Sequence, residues 1–214
     1  EAMRANVARH REMGFMGHSV KIGAAEADGG PMIDAERIRA CLADRRPGEW
    51  ILADANNGMT PEHALALLSL LPAAPGFVLE APVPTWRETL SLRQRCLVPI
   101  LLDELVQSEE DIIHAIDRDA CDGVGLKISK QGGLTRTRRQ REIARAAGLM
   151  ASVQDTTGSD IAFAAILHMA QSTPRHMLRQ ALDTRSMVSV TTAAFDAPLK
   201  DGGAEAPHAP GLGV

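Results

Sequence analysis

The chain has 214 residues, 45% apolar and 23% charged, with a formal net charge of −4. That is the balance of one globular domain with enough apolar material to bury a core, and it excludes the basic surface of a nucleic-acid-binding protein. No apolar run approaches the roughly 20 residues that cross a bilayer. Cys41, Cys96 and Cys121 lie far apart with no Cys-x-x-Cys pair, so neither a zinc site nor a disulfide framework is indicated, and a cytoplasmic location is expected.

Residues 1–13 read as a helix that closes at Gly14, with no secretory segment before it. The chain is therefore expected to be the later part of a longer protein, or one whose beginning is missing. His18 to Ile22 alternate as a strand with Ser19 and Lys21 on one face. Residues 24–30 form a polar loop, and Pro31 opens a helix carrying Ile33, Ile38 and Leu42. A strand over 50–53 delivers Asp54. Thr60 and Pro61 then read as an N-cap and first helical residue, with Pro72 and Pro75 stopping that helix.

A strand over 77–79 delivers Glu80, a helix follows over 85–95, and a strand over 99–102 delivers Asp103 and Glu104. Ser108-Glu109-Glu110-Asp111 opens the next helix with acids where the helix dipole favours them. The strand over 123–129 places Gly125, Lys127 and Ser129 on one face. After Gly132-Gly133 comes a long Arg- and Ala-rich helix, then a strand over 150–153 delivering Gln154 and Asp155. Thr156-Thr157-Gly158-Ser159 cap an apolar helix, and a weaker strand over 176–182 ends at Asp183. Residues 1–190 make a β/α barrel domain on this reading, and 191–214 a C-terminal segment in which the pattern dissolves into Pro, Gly and Ala.

Asp54, Glu80, Asp103 and Lys127 each end a short apolar run, at steps of about 25 residues, the length of one strand, one helix and two loops. Parallel strands joined by crossover helices put all four at the same carboxyl-terminal sheet edge. In a closed barrel that edge is where side chains converge. Three converging carboxylates repel unless a cation joins them, and hard oxygen ligands select Mg²⁺ or a similar ion. Seven strands are one short of a closed eight, and the eighth is expected just before Glu1. An open doubly wound sheet is the alternative, but it does not spread polar strand ends so evenly.

Val20-Lys21-Ile22-Gly23, Asp54-Ala55-Asn56-Asn57-Gly58, Leu79-Glu80-Ala81-Pro82, Pro99 to Glu104, Leu126 to Gly133 and the closing Pro210-Gly211-Leu212-Gly213-Val214 together resemble the enolase superfamily, in its muconate-lactonizing-enzyme subgroup. The resemblance implies a modified (β/α)7β TIM-type barrel, its first strand and its N-terminal α+β capping domain lying outside these residues. It matches Asp54, Glu80 and Asp103 to Mg²⁺ ligands. Lys21 and Lys127 match the two acid/base lysines on opposite sides of the substrate, and Asn56 and Glu104 match positions just behind the metal. Ser19 departs from the pattern, standing where the subgroup commonly has a first lysine in Lys-x-Lys, which leaves the substrate more open than the chemistry.

That chemistry is removal of the proton alpha to a carboxylate, with the metal stabilising the enediolate and a neutral lysine acting as base. It gives epimerisation, racemisation or dehydration of a small carboxylate, with a (hydroxy)proline-like amino acid as the leading substrate and cis-3-hydroxyproline dehydration as the leading case. Ser19, Asp155 and Asp183 are candidate substrate contacts, the two acids for a cationic nitrogen, with loop capping the rival role. Lys130 lies one step out of phase with Lys127 and reads as turn support. The alternatives are a muconate-type cycloisomerase and, from a different class, a non-catalytic or incomplete barrel. A symmetric homo-oligomer is expected, with neither nucleic acid nor membrane as partner.

Overall fold

A computed structural model of the chain describes residues 1–72, 76–156, 158–194 and 197–214. Pro75 and Thr157, read above as a helix stop and part of a cap, lie outside them. The chain divides into two compact units, one of residues 1–105 with 117–122, the other of 106–116 with 123–214.

In the first unit, α1 (Ala2–Glu12), β1 (Gly17–Lys21), α2 (Gly30–Leu42), β2 (Trp50–Asp54), α3 (Pro61–Ser69), β3 (Phe77–Glu80), α4 (Trp86–Arg93) and β4 (Ile100–Leu102) alternate. The four strands are parallel neighbours in chain order. Both faces of such a sheet are covered, so its strands are continuous apolar runs. Ile51, Leu52, Leu79, Ile100, Leu101 and Leu102 are all fully buried. Helices follow from their caps: Thr60 Oγ1 accepts from His63 N at 3.1 Å and Thr85 Oγ1 from Glu88 N at 3.2 Å.

Two details of α2 depart from the sequence reading. The polar loop before it contains a 3₁₀ turn at Glu26–Asp28. Its buried stripe is Asp34, Ala35, Ile38 and Cys41 rather than Ile33, Ile38 and Leu42. The stripe contains an acid because backbone N–H groups of the preceding loop need an acceptor there, as described below.

A buried ion pair braces the amino-terminal end of the strands. Arg11 Nε lies 2.9 Å from Glu49 Oε2, Arg11 also donates to the Cys41 carbonyl at 3.0 Å, and Glu49 accepts from Arg46 N at 2.9 Å. His18 is buried 3.9 Å from Glu49.

The second unit contains α5 (Glu109–Asp117), β5 (Gly123–Lys127), α6 (Leu134–Ala146), β6 (Met150–Gln154), α7 (Asp160–Gln171) and β7 (Leu178–Ala181). Its three strands are again parallel and in chain order. Strand β5 stops at Lys127 instead of running to Ser129. Gln131 N donates to Lys127 O at 3.0 Å and Gly133 N to Ile128 O at 2.9 Å, so the backbone coils into a turn and takes Ser129 off the strand face. Segment 191–214 packs on α7: Ala197 and Ala206 join Phe163 and Leu167 in one cluster, and Leu212 O lies 3.2 Å from His168 Nε2. Among the described residues no helix is long and apolar enough to cross a membrane.

Candidate functional site

Lys21, Asp54 and Glu80 stand side by side. Cross-strand pairing sets Lys21 opposite Asp54, and Asp54 opposite Glu80. The ladder continues past the strands: Ile22 N donates to Asp54 O at 2.9 Å, Ala55 N to Glu80 O at 3.1 Å and Ala81 N to Leu101 O at 2.9 Å. These bonds fix the three chain ends from which the side chains project, with Asp103 two residues beyond Leu101.

The loop after β2 is shaped for close approach. The Ala55 carbonyl accepts from Gly58 N at 2.8 Å. A Cβ on Gly58 would lie 2.9 Å from that oxygen, and one on Gly23, at φ +89°, 3.2 Å from it. Asn56, Asn57 and Ala81 all take left-handed φ values, 43°, 62° and 40°. Asparagine tolerates this region; for alanine it costs about 1 kcal/mol, beside the predicted ligand Glu80.

Asp54, Glu80 and Asp103 are all buried, whereas the Lys21 side chain is 65% exposed. Lys21 Nζ donates to Asp54 Oδ2 and, at 2.7 Å, to Asn56 Oδ1. Asp54 Oδ1 accepts from Asn56 N at 2.9 Å, and Asn56 Nδ2 donates to Glu104 Oε1 at 3.3 Å. Asn56 and Glu104 thus form a second rank behind Asp54. Among the described residues, no three His, Cys, Asp or Glu side chains are gathered closely enough to hold a metal ion.

The donor chemistry of the three predicted ligands, hard carboxylate oxygens, is that of a divalent cation site. The three predicted ligands are buried oxygen donors at the ends of consecutive strands, and negative charges held away from water on neighbouring strands disfavour one another. Lys21 supplies one compensating charge, at Asp54. A divalent ion held by Asp54, Glu80 and Asp103 would supply the rest.

In the second unit Lys127 ends β5, half-buried and paired in register with Gln154. The Asp155 carboxylate is taken up by neighbours: Oδ2 accepts from Ser129 N at 3.2 Å, and Oδ1 accepts from the Ser129 hydroxyl and from Thr156 N at 2.8 Å. Asp183 is bidentate to Arg185, at 2.7 and 3.0 Å, and accepts from Arg185 N at 3.0 Å. Burial works to raise the Asp183 pKa, but the Arg185 bonds prevail and hold it below the usual carboxylate range. The Arg185 guanidinium also lies 4.6 Å over the Phe163 ring. Ser19 is exposed on the same face of β1 as Lys21.

Sequence reasoning missed Arg185, whose role depends on a partner two residues away and a ring on another helix. It also missed Asp34. The available signal was an acid at the first position of the 34–38–41 stripe, where an apolar residue belongs.

The family model described as Enolase C-terminal domain-like matches residues 2–214. The cis-3-hydroxy-L-proline dehydratase of Roseibium aggregatum is 31% identical over 214 residues, 100% of this chain and 57% of that protein. The D-Ala-D/L-Ala epimerase of Cytophaga hutchinsonii is 31% identical over 172 residues, 78% of this chain and 45% of that protein. A structure from Roseovarius nubinhibens ISM, assigned to the mandelate racemase/muconate lactonizing enzyme group and complexed with magnesium, superposes with a TM-score of 0.97 at 69% identity, covering 100% of this chain and 58% of that one. The chain spans about half the length of the curated relatives it matches.

Proposed function

We propose a function from one premise: the chain belongs to the enolase C-terminal domain-like family, and its fold class is that family's β/α barrel. The protein of which it is part abstracts the alpha proton of a small carboxylate and either returns a proton to that carbon or eliminates water. A (hydroxy)proline-like amino acid is the substrate class, with cis-3-hydroxyproline dehydration as the leading case. Identity to a dehydratase of that substrate runs over the whole chain.

Asp54, Glu80 and Asp103 would hold Mg²⁺, which when bound supplies a Lewis acid that offsets the second negative charge gained as the alpha proton leaves. Lys21 and Lys127 are the acid/base groups, one for each face of the alpha carbon. Asn56 steadies Lys21 and passes Asp54 back to Glu104. The observation that carries this reading is the row Lys21, Asp54, Glu80, one amine and two buried acids on three consecutive strand ends.

The test is incubation of the full-length protein with Mg²⁺ and each stereoisomer of 3-hydroxyproline and proline in D₂O. A dehydrated product from the 3-hydroxy substrate, carrying deuterium at the carbon that bore the hydroxyl, supports the dehydratase: the alpha hydrogen leaves with the hydroxyl as water, and the enamine formed takes its proton from solvent at that carbon. Deuterium with inversion and no elimination points to an epimerase, for which the Cytophaga hutchinsonii relative is the precedent. Neither exchange nor elimination with any carboxylate tested, while Mg²⁺ binds, overturns the proposal.

A further inference from the structure

The two lysine-bearing strand ends are built alike, although they lie in different units. Lys21-Ile22-Gly23 and Lys127-Ile128-Ser129 share the first two residues. In each, the isoleucine N–H donates to the carbonyl of the residue paired in register with the lysine: Ile22 to Asp54 at 2.9 Å, Ile128 to Gln154 at 3.2 Å. In each, the next N–H is held by a buried aspartate. Asp34 Oδ2 accepts from Gly23 N at 2.8 Å and from Ala24 N at 2.9 Å. Asp155 accepts from Ser129 N and from the Ser129 hydroxyl.

Asp34 is fully buried, and Arg37 donates to its other oxygen at 3.0 Å. His63 of α3 stands 3.6 Å from Oδ2. A carboxylate surrounded in this way has little rotational freedom, so the two amides it grips are fixed to α2 and α3. Asp155 is likewise buried, and it binds the loop after β5 to the loop after β6 through Thr156 N. A strand that ends in a lysine leaves that lysine's Cα at the mercy of the loop beyond it. Both loops are pinned two residues on.

We infer that Asp34 and Asp155 are positioning residues, the first for Lys21 and the second for Lys127. This rests on the reading above that the two lysines are the acid/base pair. Neither aspartate touches substrate in this role: each sets where a lysine's strand end stops, and hence the reach of its amine. Displacement of a reacting group by about 1 Å costs on the order of 100-fold in rate, so a slackened brace acts on turnover more than on substrate affinity.

The experiment uses the full-length protein with Mg²⁺ and compares Asp34→Ala and Asp155→Ala with Lys21→Ala and Lys127→Ala. Two quantities are read: alpha-hydrogen exchange into each enantiomer of the substrate in D₂O, and backbone amide exchange of peptides spanning 22–24 and 128–130. Asp34→Ala should slow about 10- to 100-fold the exchange of the same enantiomer that Lys21→Ala affects. It should leave the other within about twofold, lower kcat with KM little changed, and speed amide exchange only over 22–24. Asp155→Ala should do the same for the Lys127 enantiomer and for 128–130.

Equal slowing of both enantiomers, or of neither, overturns the inference, because a merely structural acid would not distinguish the two faces. Should an alanine variant not fold, Asp34→Asn and Ser129→Ala replace it, with a smaller effect of the same selectivity. If the wild type neither exchanges nor dehydrates either enantiomer, the proposed function fails. Amide exchange then still decides whether the braces exist, and unchanged protection at 23–24 and 129 removes them.

Discussion

Lys21 and Asp54 are partners twice: their backbones are paired in register across β1 and β2, and the lysine amine donates to the aspartate's Oδ2. A cation already sits on this carboxylate, so the acid is required at its position whether the charge it faces is an ammonium or a metal.

Asp54→Asn is expected to weaken Mg²⁺ binding by at least tenfold and to slow alpha-proton exchange by about 1,000-fold, the loss of several kcal/mol of charge stabilisation. Isothermal titration and deuterium incorporation measure the two effects separately. Wild-type metal affinity in this variant would remove Asp54 from the ligand set.

Glu49→Gln should destabilise the protein by about 3–5 kcal/mol, because it leaves the buried Arg11 guanidinium without its counter-charge. Replacing both residues with apolar ones of similar volume should recover most of that loss. Urea unfolding of the single and double variants makes the comparison.

Acid should weaken the fold in two stages. Burial holds His18 below its ordinary pKa of 6.5. Burial of Glu49 opposes the Arg46 and Arg11 bonds, but those bonds win and hold its carboxyl below its ordinary 4.5. Each group binds fewer protons folded than unfolded, so stability is complete above pH 6.5 and falls as pH drops, first through His18 and then, below pH 4.5, through Glu49. His18→Phe should abolish the upper stage and leave the lower one, a difference that urea midpoints from pH 7 down to about 3 would reveal.

Ser108 and Asp111 cap α5 reciprocally: Asp111 N donates to Ser108 Oγ at 3.2 Å, and Ser108 N to Asp111 Oδ2 at 2.9 Å. Alanine at either position should cost about 1 kcal/mol. The double variant should cost less than the two losses together, since each removes part of the same motif. Thermal unfolding measures all three.

The strand ends were legible because a parallel strand covered on both faces must be apolar until it stops, which makes the acid after Leu79 or Ala53 conspicuous. Thr60 was legible as a cap because its bond partner, His63 N, lies three residues away. Ser129 misled because its alternation with Gly125 and Lys127 is equally compatible with a strand and with the first turn beyond one. Only the Gln131-to-Lys127 backbone bond decides between them. Asp34 and Glu49 bond to Gly23 N and Arg11, partners that the fold brings to them and that nothing adjacent in sequence marks. Asp155 and Asp183 were visible as strand-end acids, but their bonds to Ser129 and Arg185 are a property of the folded chain.

Since the grip on Lys21 is assembled entirely from residues 23 to 63, and that on Lys127 entirely from 128 to 156, mutational drift can dismantle either without disturbing the other. If the two lysines serve opposite faces of the substrate as proposed, a lineage that let one brace decay would keep the other intact, and only one mirror form would still give up its proton.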